Sequence, residues 1–301
     1  MSFRLNFLAV LFCFLLTLTI FAQKTSNNEK YTAHNKGKFY IYWGGNREDF
    51  TKSDIHFTGN NYDFTIYDVR ADDKPKGWHA DYVNPARMTI PQTNFRMGYY
   101  INDHYNISIG LDHMKYVMRQ DQIANVTGTI NLPSTDIGSM YNNPNNLPYN
   151  NTPVNLLTNY SEDDVSAVPP FLTFEHTDGL NYINTEVARV DDISKIFKIK
   201  NTDKFQLNLI EGIGTGILYP KTNAKVLGKE RHDDFHVSGY GISAKVGLNL
   251  TFFKHFFVQT ELKGGYINMN DIRTTSENID KASQHFMFLQ RIIAFGGIFK
   301  I

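Results

Sequence analysis

Tyr240-Gly241-Ile242-Ser243-Ala244-Lys245-Val246-Gly247-Leu248-Asn249-Leu250 alternates without a break: even positions are apolar, odd positions small or polar. Successive side chains of a β-strand point to opposite faces, so this segment has one apolar wall and one polar wall. After a short turn over Thr251–His255, Phe256, Val258, Thr260, Leu262 and Tyr266 repeat the apolar wall, while Gln259, Glu261 and Lys263 repeat the polar one. A long hairpin of this kind in an exported chain points to a membrane-spanning β-barrel, with lipid on one face of every strand and a filled lumen on the other.

Export is read from the first residues. Arg4 supplies a positive start, Phe7 to Ile20 is an apolar run without charge, and Phe21-Ala22-Gln23 has the look of a cleavage site. Residues 1–22 are therefore expected to be a signal peptide and 23–36 a periplasmic segment. The run is short for a helical span of about 20 residues. The only cysteine, Cys13, lies within it, so the mature chain is expected to hold no disulfide and no thiolate metal site. Phe12, immediately before it, speaks against lipidation. Basic and acidic residues balance at 30 each, which leaves no basic excess for nucleic acid. No mature segment is long and apolar enough for a helical span, so membrane insertion requires a closed barrel whose backbone groups pair internally.

Alternation picks out Phe39 to Gly44, Phe95 to Ile101, Tyr105 to Leu111, Phe171 to Val190, Phe205 to Leu218, His236 to Leu250, Phe256 to Asn270 and His285 to Ile301. Asn102-Asp103 suits a tight turn. The connections alternate in length. Arg47–Thr93, Arg119–Pro170, Pro220–Phe235 and Asp271–Gln284 are long, whereas Asn102–His104, Asp191–Asp203 and Thr251–His255 are short. Outer-membrane barrels place short turns in the periplasm and long loops outside. The parity gives an all-β, up-and-down antiparallel transmembrane barrel of eight strands over 37–301, with external loops 47–93, 119–170, 220–235 and 271–284. Ile55 to Phe57 and Tyr62 to Val69 also look like β-structure. They are read as a hairpin standing in the first external loop, because one more membrane strand makes the count odd; the alternative is a barrel of about ten strands. The Asn- and Pro-rich stretch Tyr141–Tyr160 is read as a mobile surface loop. Two charges break the pattern: Glu211 and Arg291 fall in phase with lipid-facing residues, and a bulge or an interfacial depth is expected at each.

The inward set includes Tyr40, Tyr42, Arg96, Tyr100, Lys245, Gln259, Glu261 and Lys263. Interior ion pairs are expected among Lys245, Glu261 and Lys263, since a small barrel is filled by its own side chains and leaves no channel. Asp112 and His113 stand together at a strand's outer end. Gly212, Gly214 and Gly216 are spaced by two and give a smooth strand face, not a phosphate loop. His232, Asp233, Asp234 and His236 cluster in one loop without a ligand spacing. No cofactor, metal or nucleotide is expected.

Several segments carry a resemblance: GKFYIYWGGN from residue 37, SDIHFTGNNYDFTIYDV from residue 53, IPQTNFRMGYYINDHYNISIGLDHMKYV from residue 90 and FEHTDGLNYINTEVARVDDI from residue 174. On these the mature chain resembles small outer-membrane β-barrel proteins of Bacteroidota, a likeness that implies location and architecture but no activity. His176-Thr177-Asp178-Gly179 followed by Glu186 also resembles, locally, the outer-membrane lipid A deacylases. That likeness implies His176 as base and Glu186 as its orienting partner on the outer wall. The family's serine position, two residues after the histidine, is Asp178 here, and the nearest hydroxyl is that of Thr177. Phe299, two places from the end, is a near match to the terminal aromatic that the barrel-assembly machinery reads. The expected function is presentation of external loops for binding, adhesion or envelope protection, without enzymatic activity. A deacylase centred on His176 and a narrow transporter of small or hydrophobic molecules are the alternatives. Outer-membrane lipid, lipopolysaccharide and the assembly machinery are the expected partners.

Overall fold

Eight of the alternating segments close into a ring. The computed structural model describes residues 31–74, 92–156, 170–230 and 234–300, and the ring lies within the unit Ala33–Ile301. It runs β1 (Lys38–Phe50), β5 (Thr93–Tyr100), β6 (Tyr105–Met118), β9 (Leu172–Asp192), β10 (Phe205–Leu218), β12 (Gly239–Phe252), β13 (Phe256–Arg273) and β14 (Lys281–Lys300). β14 returns to β1, antiparallel, from Lys38 opposite Lys300 to Phe50 opposite Phe288. Closure pairs the backbone groups that an open edge leaves bare in lipid. The expected signal peptide lies outside the described residues.

The short turns are built as their residues suggest. Asn102 Oδ1 accepts the backbone N–H groups of His104 (2.9 Å) and Tyr105 (2.8 Å), an Asx turn joining β5 to β6. Phe253 and Lys254 both take positive φ to join β12 to β13. Above these turns, the outward side chains form an apolar belt: Ile41, Trp43, Met97, Ile107, Ile109, Ile213, Ile242, Leu248, Ile293 and Phe295 are all exposed. Most inward neighbours of these residues are buried, as the alternation requires.

The strands do not stop at the belt. β9 has 21 residues, β13 has 18 and β14 has 20, whereas a span needs about 9–11. Their outer halves carry a second layer of β-structure: β2 (Ser53–Gly59), β3 (Tyr62–Val69), β4 (Ala71–Asp72), β7 (Ile123–Ile130), β8 (Tyr149–Asn155) and β11 (Asn223–Val226). β2 pairs with the first residues of β14, and β3, β7 and β8 follow in order. β2 and β3 are the hairpin expected outside the ring. Ile55, Phe57, Phe64, Ile66, Tyr116, Phe174, Phe286 and other buried apolar residues form one cluster there. The external connections are accordingly shorter than read from sequence, because β1, β13 and β14 run on into the stretches expected to be loop.

The Asn-rich stretch is corrected. Tyr149–Asn155 is β8, paired to β7, and two short 3-10 turns precede it at Ile137–Tyr141 and Pro144–Asn146. Asn142 Oδ1 accepts from Leu132 N (2.7 Å) and Asn143 Oδ1 from Ile130 N (2.7 Å). Asparagine amides mimic backbone groups, so these residues fix turns instead of merely solvating the chain. Residues 157–160 lie outside the described residues.

Of the bulge or interfacial depth expected at each outward charge, the bulge forms at neither. Register is continuous through Glu211, which stands opposite Arg189 and Val246, and through Arg291, which stands opposite Arg47 and Leu262. Arg291 Nη2 instead reaches Asp49 Oδ2 at 2.8 Å, both exposed. For Arg291, an opposite charge on the adjacent strand meets the electrostatic need without turning the side chain inward; Glu211 is buried at 7% exposure. Register shifts occur higher up, between Met114 and Tyr116 and between Met269 and Ile272.

The two layers have separate cores, so they should fail separately. Phe174→Ala should destabilise the outer layer by about 3–5 kcal/mol. Hydrogen exchange should quicken in β2, β3 and β11, while heat-modifiable migration of the barrel stays as in the wild type.

Candidate functional site

The lumen at belt level holds three cations and three anions: Arg96 (β5), Lys245 (β12) and Lys263 (β13), with Asp112 (β6), Glu186 (β9) and Glu261 (β13). Glu186 is the centre. Its Oε1 lies 2.9 Å from Arg96 Nη2 and 2.6 Å from Lys263 Nζ, and its Oε2 2.8 Å from Lys245 Nζ. These are contacts of charge, since neither oxygen has an aligned hydrogen-bond partner. Lys245 Nζ donates to Glu261 Oε1 at 2.8 Å. Lys263 reaches Asp112, whose side chain also accepts from Asn94 (2.7 Å) and Asn184 (3.0 Å). Arg96 is spread over Tyr42 Oη (3.2 Å), Ser108 Oγ (3.1 Å) and Asn184 Oδ1 (2.6 Å). A charge taken out of water needs an opposite charge and hydrogen bonds to its remaining sites; Arg96 and Asp112 have both, whereas Glu186 is held by opposite charge alone.

Glycines make the room. A Cβ on Gly110 would stand 2.7 Å from the Arg96 guanidinium, and one on Gly214 would stand 2.6 Å from Glu186 Cγ. The smooth glycine face read from sequence on β10 is thus the wall against which the cluster lies.

Polar side chains fill the lumen above and below. Above, Asn94 donates to Gln290 (3.3 Å), and Gln290 to Glu48 (2.9 Å). Below, Asn249 donates to Gln259 (2.9 Å) and Asn208 to Asn249 (3.2 Å). At the turn end, a cavity of about 20 Å³ lined by Tyr40, Tyr100, Asn106 and Phe257 has room for about one water.

Of the residues expected to act together as a hydrolase, none meet. His176 is wholly buried in the outer apolar cluster, its Nδ1 2.9 Å from Thr222 Oγ1 and its ring against Phe174 and Tyr116. Burial pushes its imidazole down to about 3, so it is neutral. Glu186 lies in the lumen, ten residues further along the same strand, roughly 30 Å away at the rise of a strand. Thr177 Oγ1 turns to Glu175 Oε1 at 3.0 Å, on the other face of β9. The placement on the outer wall is therefore corrected: His176 faces inward because the inner side above the belt is the dry side.

Sequence reasoning paired Lys245 with Glu261 but left out Asp112 and gave Glu186 another role. Both are strand residues whose inward direction follows from alternation, yet all of Glu186's partners and Asp112's closest cation, Lys263, come from strands far away in the chain. Asp112's neighbour His113 is buried and bonded to Asn181 Oδ1 at 2.8 Å. His236 meets Asp271 at 2.8 Å, while His232 and Asp233 lie outside the described residues. Among the described residues no group of three His, Cys, Asp or Glu side chains is placed to hold a metal ion.

Two outcomes test these placements. Glu186→Ala should cost about 3–5 kcal/mol in urea unfolding of the micelle-bound barrel, because it strands buried cations. Adding Lys263→Met should recover part of that loss, a coupling that independent sites do not show. For His176 the sign is that of a depressed group: its contribution is complete above about 6.5 and is lost as pH falls towards 3. Thermal unfolding of the outer layer should therefore weaken over that range in the wild type and less in His176→Asn, which keeps a partner for Thr222 without titrating.

No known protein family and no curated protein matches the chain. Among solved structures it is similar to Ail, the attachment invasion locus protein of Yersinia pestis, at 11% identity over 88% of this chain and 99% of that one, with a TM-score of 0.31. It is also similar to the outer membrane protein OprG of Pseudomonas aeruginosa, at 9% identity over 89% and 98%, TM-score 0.35. A third is the outer membrane protease OmpT of Escherichia coli, at 9% identity over 92% and 99%, TM-score 0.30. Likeness at these values bears on no residue and no activity.

Proposed function

We propose that this is an integral outer-membrane protein that works through its outer layer of β-structure, as a binding, adhesive or protective surface, and neither conducts nor catalyses. The observation that carries this reading is the filled lumen. Arg96, Lys263 and Glu186 are each no more than 2% exposed, and they are tied across the barrel by opposite charge. A permeating ion or solute must break contacts in a medium where a stranded charge costs several kcal/mol. The belt supports a membrane location, and its partners there are lipid and, on the outer side, lipopolysaccharide.

What the barrel then offers is rigidity. β2, β3, β7 and β8 extend the sheet from the outer half of β14, so a surface carried on them is held by continuous backbone hydrogen bonds and an apolar core. A scaffold of this kind pre-orders a binding face and lowers the entropic cost of recognition.

Planar-bilayer recording checks the division of labour. The wild-type protein should give no steady conductance. A triple variant Arg96→Ala, Glu186→Ala, Lys263→Ala, which removes the tie across the lumen, should give measurable openings. Steady wild-type currents would sink the proposal in favour of transport.

A further inference from the structure

The balanced charge of the chain conceals an uneven placement. At the outer end five cations are met by carboxylates: Lys52 by Asp68, Arg119 by Asp72, Lys221 by Asp178, Lys281 by Asp271 and Arg291 by Asp49. At the turn end, Lys36, Lys198, Lys200, Lys204 and Lys300 are exposed, and among the described residues none of their ammonium groups meets a carboxylate. The carboxylates at that end are already taken. Asp191 holds Arg189 and His104, Asp192 accepts from Ser194 N and Gln206, and Asp203 pairs with Lys254.

These lysines share one rim. Lys36 N donates to Asp103 Oδ1 (3.0 Å), which joins the start of β1 to the β5–β6 turn. Phe253 N donates to Lys204 O (3.1 Å), which joins the two other turns. Lys300 stands opposite Lys38 in the β1–β14 register. Between the lysines, Ile196, Phe197, Phe253 and Phe256 are 60–70% exposed. Apolar side chains at the edge of a lipid-facing belt sit in the acyl region, and lysines beside them extend their ammonium groups to headgroup level.

We propose that this rim is a docking surface for anionic phospholipid of the inner leaflet, the lysines holding headgroup phosphates while Ile196, Phe197, Phe253 and Phe256 hold the acyl chains. It rests on the outer-membrane assignment above. Each lysine at an anionic membrane surface favours partitioning on the order of fivefold. Five lysines without a carboxylate partner on one rim therefore separate an anionic lipid from a zwitterionic one.

The test is native mass spectrometry of the full-length barrel released from bilayers of equimolar phosphatidylglycerol and phosphatidylethanolamine. The wild type should retain phosphatidylglycerol about tenfold over phosphatidylethanolamine. The quintuple variant Lys36→Gln, Lys198→Gln, Lys200→Gln, Lys204→Gln, Lys300→Gln should lose most of the preference, and the corresponding Arg variant should keep it. Equal retention by the wild type overturns the proposal, as does a preference unchanged in the Gln variant. Displacement of phosphatidylglycerol by added lipid A from the same lysines overturns the assignment to inner-leaflet lipid. Heat-modifiable migration, read on each sample, tests membrane-barrel folding separately.

Discussion

Lys245 and Lys263 stand directly opposite each other in the β12–β13 register, both pointing into the lumen. Like charges so placed repel, and in a dry interior neither has water to turn to. Sheet geometry admits one remedy, an anion delivered from elsewhere in the ring. Glu186 supplies it from β9, touching both lysines and Arg96. It reaches them past Gly214, which has no side chain in the way. Asp112 then completes Lys263, and Glu261 completes Lys245. The register of the hairpin, the chemistry of the opposite wall and the glycines on the strand between them are one problem with one solution.

That solution also decides what the barrel can do. A lumen held by six mutually neutralising groups is a structural core, comparable to an apolar core in that every member depends on the rest. It differs in cost. Replacing a buried ion network by well-packed apolar residues is often neutral or stabilising, so charge here is not explained by stability alone. Its effect is to fix the arrangement of strands around the ring: a slip of one residue in any of β5, β6, β9, β12 or β13 sends its charge into lipid.

The ring was legible in the sequence because alternation is a local property. Tyr240 to Leu250 and its neighbours show which residues share a face, and loop lengths alternate as outer-membrane topology demands. The pairing of Lys245 with Glu261 was legible for the same reason, being one hairpin away. Glu186 was not, because parity places a side chain inside but does not say what it meets across 59 or more residues of chain; Asp112 has Arg96 one hairpin away, but its contact to Lys263 spans most of the ring's sequence. The Asn-rich stretch was misread on composition. Asn142 and Asn143 are polar, but their amides stand in for backbone partners of Leu132 and Ile130, a role that composition does not distinguish from solvation.

His176 shows a different limit. Along β14 the inward residues pass from Gln290 to Phe288 and Phe286, while the outward ones pass from Phe295 and Ile293 through Arg291 and Leu289 to His285. The strand exchanges the chemistry of its two faces at the height where its surroundings change from lipid to water. Below that height the apolar surroundings are the lipid outside; above it they are the core within. Alternation alone carries no mark of the exchange, so a rule that sends apolar residues to lipid fails above the belt, and a histidine at that level is placed on the wrong wall. The irregularities sit near this boundary. Gly179 takes φ of +142° on β9, and the register shifts between Met114 and Tyr116 on its partner β6. A bulge bends a strand and increases its local twist, and that change of direction carries the ring's strands from a lumen of ions into a core of Phe174, Tyr116 and Phe286. The outer layer is thus the same sheet continued with its polarity reversed, which is why it inherits the rigidity of the barrel beneath it.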